Sequence, residues 1–164
     1  MAMRWRSSRQ SPVADRFEAV HTAVLATAFE GWAALDEHSG HAGLDVGAAV
    51  SFVGTLRADN AGKPVAAMFL EHYPGMTERC LADLAATAKA RWGLSAVLVQ
   101  HRIGQVLPGQ TLVAIGCWSG HRVEAFAACE WLIERLKHDV PFWKREQVPG
   151  GTRWVTSNTP GRDV

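Results

Sequence analysis

The chain has 164 residues, 17 basic and 16 acidic, giving a formal net charge of +1. That near-neutrality excludes the broad polybasic surface that drives bulk binding to nucleic acid or anionic membranes. With 48% apolar and 20% charged residues, the composition is that of a single globular domain large enough to bury a sizeable core. No apolar run approaches the roughly 20 residues that span a bilayer. The basic start Met1–Arg9 has no apolar stretch behind it, so no secretory signal is expected. Three widely spaced cysteines, Cys80, Cys117 and Cys129, without a Cys-x-x-Cys pair, fit reduced thiols buried as small hydrophobes in a cytoplasmic protein.

In chain order, residues 1–14 read as a disordered tail, 15–156 as the domain and 157–164 as a flexible C-terminal tail. Phe17–Val24 suits an edge strand and Ala28–Leu35 a short helix with Phe29 and Trp32 on one side. Glu37–Gly43, rich in His, Gly and Ser, is a connection. Gly47–Gly54 is a short apolar run, read as a buried strand, and the polar Arg57–Pro64 is a loop. Val65–His72 returns as a strand. Pro74 then opens a helix whose apolar set Met76, Cys80, Leu84 and Ala88 carries on to Trp92. Leu94–Ile103 and Thr111–Trp118 are strand-like, separated by the turn at Leu107-Pro108-Gly109. A helix from about His121 to His138 has the stripe Phe126, Cys129, Ile133 and Leu136, and Pro141 stops it. Gly150-Gly151 is a turn before a last strand, Thr152–Val155. The order strand, helix, two strands, helix, two strands, helix, strand breaks βα alternation and favours an α+β fold with about three helices.

Chemistry concentrates in Leu136–Glu146. The chain has 13 arginines and four lysines, and two of those lysines, Lys137 and Lys144, lie seven positions apart here. An amine, unlike a guanidinium, can lose its proton in a dry pocket and work in proton transfer or on a carbonyl. The same residues also suit a solvated helix end, with Lys137 favoured by the C-terminal dipole. Ser119-Gly120-His121-Arg122 stands where a strand yields to a helix, and free N–H groups there attract anions. A polar first turn has the same appearance. Arg57, at the end of the strand Gly47–Gly54, is placed either to clamp an anion bidentately or to stand exposed in a loop. The seven histidines form no carboxylate-supported frame, so no metal site is expected; His101-Arg102 reads as structural. Trp131, Trp143 and Trp154 suit core or interface packing. No nucleophile elbow, phosphate loop or dinucleotide fingerprint is present.

Taken together, the motifs Phe52-Val53-Gly54-Thr55-Leu56-Arg57, Leu70-Glu71-His72-Tyr73-Pro74-Gly75-Met76, His101-Arg102-Ile103-Gly104, His121-Arg122-Val123-Glu124-Ala125-Phe126, Leu136-Lys137 through Pro141-Phe142-Trp143-Lys144-Arg145-Glu146, and Gly151-Thr152-Arg153-Trp154-Val155 resemble, in order and spacing, the large catalytic subunit family of molybdopterin synthase. The resemblance covers about residues 15–156. It implies an α/β-hammerhead-like single domain with an antiparallel or mixed sheet. It implies an enzyme, a sulfurtransferase of molybdenum cofactor biosynthesis, that turns cyclic pyranopterin monophosphate into the molybdopterin dithiolene. The sulfur would arrive as a thiocarboxylate on the C-terminal Gly-Gly of a small ubiquitin-like subunit, so neither a cysteine of this chain nor a cofactor is needed. By resemblance, Lys137 and Lys144 are the pocket lysines. Thr55, Leu56, Arg57, His121, Arg122, Arg145 and Glu146 join them in binding substrate. Thr55 stands in the region where some members carry a lysine, and Asn158 where some carry a further basic residue. Phosphate binding would then lean more on Arg57 and Arg122.

Helix geometry adds a constraint. Arg122 and Lys137 are 15 residues apart on one helix, roughly 22 Å at the α-helical rise. One small pterin does not span that within one chain, so a homodimer is expected, with His121 and Arg122 of one copy completing the site around Lys137 of the other and a heterotetramer overall. Two other readings stay open: a non-catalytic module that binds a ubiquitin-like carrier, and an unrelated phosphate-binding enzyme on a similar scaffold.

Overall fold

The computed structural model describes residues 19–60 and 62–155. The N-terminal tail, Asn158 and residues 157–164 lie outside the described residues, as do Phe17 and Glu18 of the first expected strand. Ten strands and three helices follow in order: β1 Val20–Leu25, α1 Gly31–Ser39, β2 Ala48–Thr55, β3 Asp59–Asn60, β4 Lys63–Pro64, β5 Ala67–His72, α2 Met76–Trp92, β6 Ala96–Arg102, β7 Gly104–Val106, β8 Thr111–Ser119, α3 Arg122–Asp139, β9 Phe142–Val148 and β10 Gly151–Trp154. The architecture is α+β, as the broken alternation predicts.

The first sheet has the order β1-β6-β8-β2. Only β1 and β6 run parallel; β6–β8 and β8–β2 are antiparallel. Strands β6 and β8 are buried on both faces, which explains their near-continuous apolar sequence. Val97, Val99, Val113, Ile115 and Cys117 point to one face, where Leu81 and Ala85 of α2 and Ala128, Leu132 and Leu136 of α3 close the core. Burying Leu81, Ile115 and Leu132 contributes about 2 kcal/mol each. On the other face, Leu98, Ala114 and Trp118 meet Leu35 of α1. A Cβ at Gly116 would overlap the Trp118 indole and Leu35, so only glycine lets α1 lie this close. Gly93 ends α2 in the left-handed region at φ 59°, its N–H donating to the Lys89 carbonyl.

The second sheet, β10-β9-β5-β7, is antiparallel. Its inner face covers Leu56, Val65, Met68, Leu70 and Val106. A two-residue ladder, β3–β4, projects from the connection between the sheets.

Several sequence expectations are corrected. Strand β9 was not expected, because its inward positions Lys144 and Glu146 are charged and hide the period-two pattern. β7 and the β3–β4 ladder are too short to show one. The α1 helix runs to Ser39, four residues past its expected end, and Trp32 is 66% exposed while Phe29 packs inward. On α2 the buried face is Thr77, Leu81, Ala85 and Ala88; Met76 is exposed, and Cys80 and Leu84 only flank the core. The α3 face is Ala125, Ala128, Cys129, Leu132 and Leu136, with Phe126 64% exposed. Trp131 is buried, but Trp143 and Trp154 are half exposed. Of the cysteines, Cys117 and Cys129 are buried and Cys80 is partly so. His101 and Arg102 are both buried, as structural residues would be.

Candidate active site

The lysine pair forms where α3 turns into β9. The helix stops at Val140, which has extended backbone, and Pro141 cannot continue it. The Pro141 carbonyl accepts a hydrogen bond from Thr77 Oγ1 at 3.3 Å, tying this corner to the first turn of α2. β9 then returns beside β5 with Lys144 opposite Leu70. Lys137 Nζ donates to Glu134 Oε1 at 3.3 Å, one helical turn back. Lys144 is held below the usual lysine pKa, first by burial and second by the like charge of Lys137. That coupling places the two ammonium groups in one environment. It also eases loss of a proton from Lys144, which a solvated helix end would not do.

His101 lies against the same corner. Its ring stacks on Phe142, with centroids 3.9 Å apart, and its Nδ1–H donates to the Arg102 carbonyl at 2.8 Å. Burial pushes its pKa down to about 4, the backbone hydrogen bond opposes this, and Lys144 adds to the lowering. The ring is therefore neutral at neutral pH.

Strand alternation sorts the rest of β9. Glu146 shares the inner face with Lys144 and is 1% exposed. Its carboxylate accepts from Asn60 Nδ2 at 2.7 Å and pairs with the Arg153 guanidinium of β10. Arg145 points the other way. It lies over the rings of Phe69 and Trp154, 5.5 Å from each centroid, and reaches Glu71 at 3.9 Å. The structure therefore does not bring the Arg145 side chain to the lysines.

Thr55 ends β2 opposite Thr111. Leu56 is buried in the core of the second sheet, and its backbone is clamped: its N–H donates to the Gln110 carbonyl at 3.0 Å and its carbonyl accepts from Gly109 N–H at 2.8 Å. Its side chain is core, so only its backbone holds Arg57 in place. Arg57 emerges exposed from that anchored end, just before the ladder that carries Asn60. His121 caps α3 and Arg122 opens it, both exposed. They stand at the opposite end of α3 from Lys137, about 22 Å away along the axis, so one chain does not gather all the expected binding groups.

The sequence pattern did not mark Asn60, Glu134 or Arg153, and it read His101 as structural only. Glu134 was open to discovery as the i−3 neighbour of Lys137. The Asn60–Glu146 contact spans 86 positions and has no local signal. Among the described residues, no group of three or more His, Cys, Asp or Glu side chains is placed to hold a metal ion. No helix among them is long and apolar enough to cross a membrane.

The arrangement can polarise a carbonyl or move a proton at a half-dry amine, and it offers cations to an anionic ligand. The family model described as "MoaE protein" matches residues 28–139. The molybdopterin synthase catalytic subunit of Ralstonia nicotianae is 51% identical over 110 residues, 67% of this chain and 62% of that relative. The chain thus aligns with somewhat less than two thirds of that relative's length. The crystal structure of molybdopterin synthase from Staphylococcus aureus superposes with a TM-score of 0.75 at 26% identity, covering 87% of this chain and 100% of that one. A complex of subunits 1 and 2 of molybdopterin-converting factor from Helicobacter pylori shares the fold, with a TM-score of 0.72 at 20% identity, over 87% of this chain and 93% of that one.

Proposed function

The chain belongs to the MoaE protein family, and on that premise we propose that it is the catalytic large subunit of a molybdopterin synthase, a sulfurtransferase of molybdenum cofactor biosynthesis. Its substrate is cyclic pyranopterin monophosphate. Its sulfur donor is the thiocarboxylated C-terminal glycine of a small ubiquitin-like subunit, whose tail enters the corner between α3 and β9. The observation that carries the reading is the partly buried Lys144, on the inner face of β9 where Lys137 acts on it as a like charge.

In this mechanism Arg57 holds the cyclic phosphate and stabilises the charge that develops as the ring opens. The thiocarboxylate sulfur attacks the side-chain carbon that carries a cyclic-phosphate oxygen; the C–S bond forms as that C–O bond breaks and the phosphate ring opens, and water then cleaves the acyl C–S bond, leaving the sulfur on the pterin and a carboxylate on the carrier tail. Lys137 polarises the terminal carbonyl or handles the proton, and Lys144 supports substrate charge. His121 and Arg122 act from a second copy of the chain, so the working particle is a homodimer with a carrier bound at each site. The cytoplasm, where thiols stay reduced, is where such a protein would work.

Lys137→Ala is the test. Turnover of precursor with thiocarboxylated carrier should fall at least 100-fold, while carrier binding and the unfolding midpoint stay near wild type. Turnover near wild type would refute the role assigned to Lys137.

A further inference from the structure

Two carboxylates border the lysine corner, and their oxygens are used differently. Glu146 gives one oxygen to Asn60 and the other to Arg153. Glu134 stands one turn before Lys137 on α3. Its Oε1 accepts from Lys137 Nζ at 3.3 Å, and its side chain is 12% exposed. Its second oxygen, Oε2, is buried and receives no hydrogen bond. An ionised carboxylate is an acceptor only, with room for several donors. A buried oxygen left unmet is costly, so its presence in a folded protein calls for a reason, of which chemistry is one. The other described carboxylate oxygen of this kind, Glu124 Oε2, lies in the first turn of α3, about 15 Å along the axis from Glu134 and away from both lysines.

The second half of the reaction needs a base. Once an acyl C–S bond joins the carrier tail to the pterin, water must lose a proton as its oxygen attacks the acyl carbon. A charged Lys137 has three donors and no acceptor, so while it polarises the terminal carbonyl it cannot take that proton. His101 is the neutral imidazole at this corner, but its Nδ1–H is committed to the Arg102 carbonyl, its ring lies on Phe142, and it is buried. A general base must stand within hydrogen-bond reach of the water it deprotonates. Glu134 meets that condition for a water lying between its Oε2 and a carbonyl held by Lys137, because its Oε1 binds the same ammonium.

We propose that Glu134 is the general base of the step that releases the carrier. Its Oε2 takes a proton from water as the water oxygen bonds to the acyl carbon of the carrier's terminal glycine. The oxyanion so formed rests against Lys137. It re-forms the carbonyl and breaks the C–S bond, and the electron pair leaves with the sulfur. The proton on Glu134 passes to that sulfur, and the new carboxylic acid gives its own proton to solvent. The step thus yields a pterin thiol, a carrier carboxylate and an ionised Glu134. This assignment rests on the catalytic reading above and divides its labour: Lys137 polarises the carbonyl and Glu134 moves the proton.

Rapid-quench mass spectrometry on the full chain, with precursor and thiocarboxylated carrier, separates the two halves of the reaction. Glu134→Gln keeps the shape and an acceptor oxygen for Lys137 but is no base. Its circular dichroism spectrum and carrier binding should match wild type. The carrier–pterin thioester should form at close to the wild-type rate and then persist, hydrolysing at least 100-fold more slowly. Hydroxylamine, a nucleophile that needs no base, should free the pterin from the trapped adduct and leave a hydroxamate on the carrier. Glu134→Asp keeps the base on a shorter stem and should hydrolyse the adduct faster than Glu134→Gln. Should the glutamine variant fail to fold, Glu134→Asp must by itself slow hydrolysis more than thioester formation. Hydrolysis by Glu134→Gln within about threefold of wild type overturns the assignment and leaves the catalytic reading standing. Equal slowing of formation and hydrolysis, the outcome for a residue that only steers Lys137, also overturns it. A wild type that forms neither thioester nor product overturns the catalytic reading and this assignment with it.

Discussion

Replacing Glu146 probes the most deeply buried charged side chain among the described residues. Its carboxylate, 1% exposed, receives Asn60 Nδ2 at 2.7 Å and pairs with Arg153. Hydrogen bonds to a charged group contribute about 1.5–3 kcal/mol each. Breaking a fully buried ion pair costs about 3–5 kcal/mol, mostly because the surviving charge is stranded. The Arg153 side chain is 34% exposed, so water rescues part of that loss. Glu146→Ala should then cost about 3 kcal/mol, and Glu146→Gln, which keeps the shape and one acceptor for Asn60, about half as much. For a chain of this size, 3 kcal/mol lowers the unfolding midpoint by roughly 9 °C. Because Asn60 sits on the ladder just after Arg57, Asn60→Ala should raise KM for the precursor more than it lowers kcat. Scanning calorimetry and steady-state assays read both effects. A Glu146→Ala midpoint within 2 °C of wild type would refute the claim that this carboxylate ties the ladder and β10 to β9.

Further expectations concern pH, charge type and packing. Because the Lys144 pKa is depressed and its charged form supports the substrate, the rate should fall as pH rises along an arm below that of an ordinary lysine, and Lys144→Arg, which keeps its charge, should remove the arm. His101 is held neutral by burial, with a folded pKa of about 4 against 6.5 unfolded. As pH falls through that window, the unfolded chain takes up the proton first, so stability should drop by about 3 kcal/mol and level off below pH 4; His101→Phe should flatten the urea-unfolding curve against pH. Gly116→Val should destabilise by at least 2 kcal/mol in chemical denaturation, since its side chain meets Trp118 and Leu35.

Much of this protein was legible before any coordinates. Local signals determined the helices ending near Trp92 and Asp139, the buried strands around Val97 and Ile115, and the α+β class, because each depends on spacing within a dozen residues. The order of motifs determined the family. The Lys137–Lys144 pair was visible as two amines around a proline-stopped helix, but not as a site, since burial decides whether an amine keeps its proton. Only tertiary structure showed β9, whose inward Lys144 and Glu146 break the apolar alternation. Only it turned Arg145 toward Phe69 and Trp154, sank Leu56 into the core, and joined Asn60 to Glu146 across 86 positions. The α3 stripe lies between the two. Sequence spacing marked Phe126 and Ile133 as apolar neighbours, whereas the position of α3 between α2 and the free edge of β2 decided that Phe126 stays uncovered within one chain. Periodicity reports which residues share a face; what lies against that face depends on contacts between elements far apart in the chain.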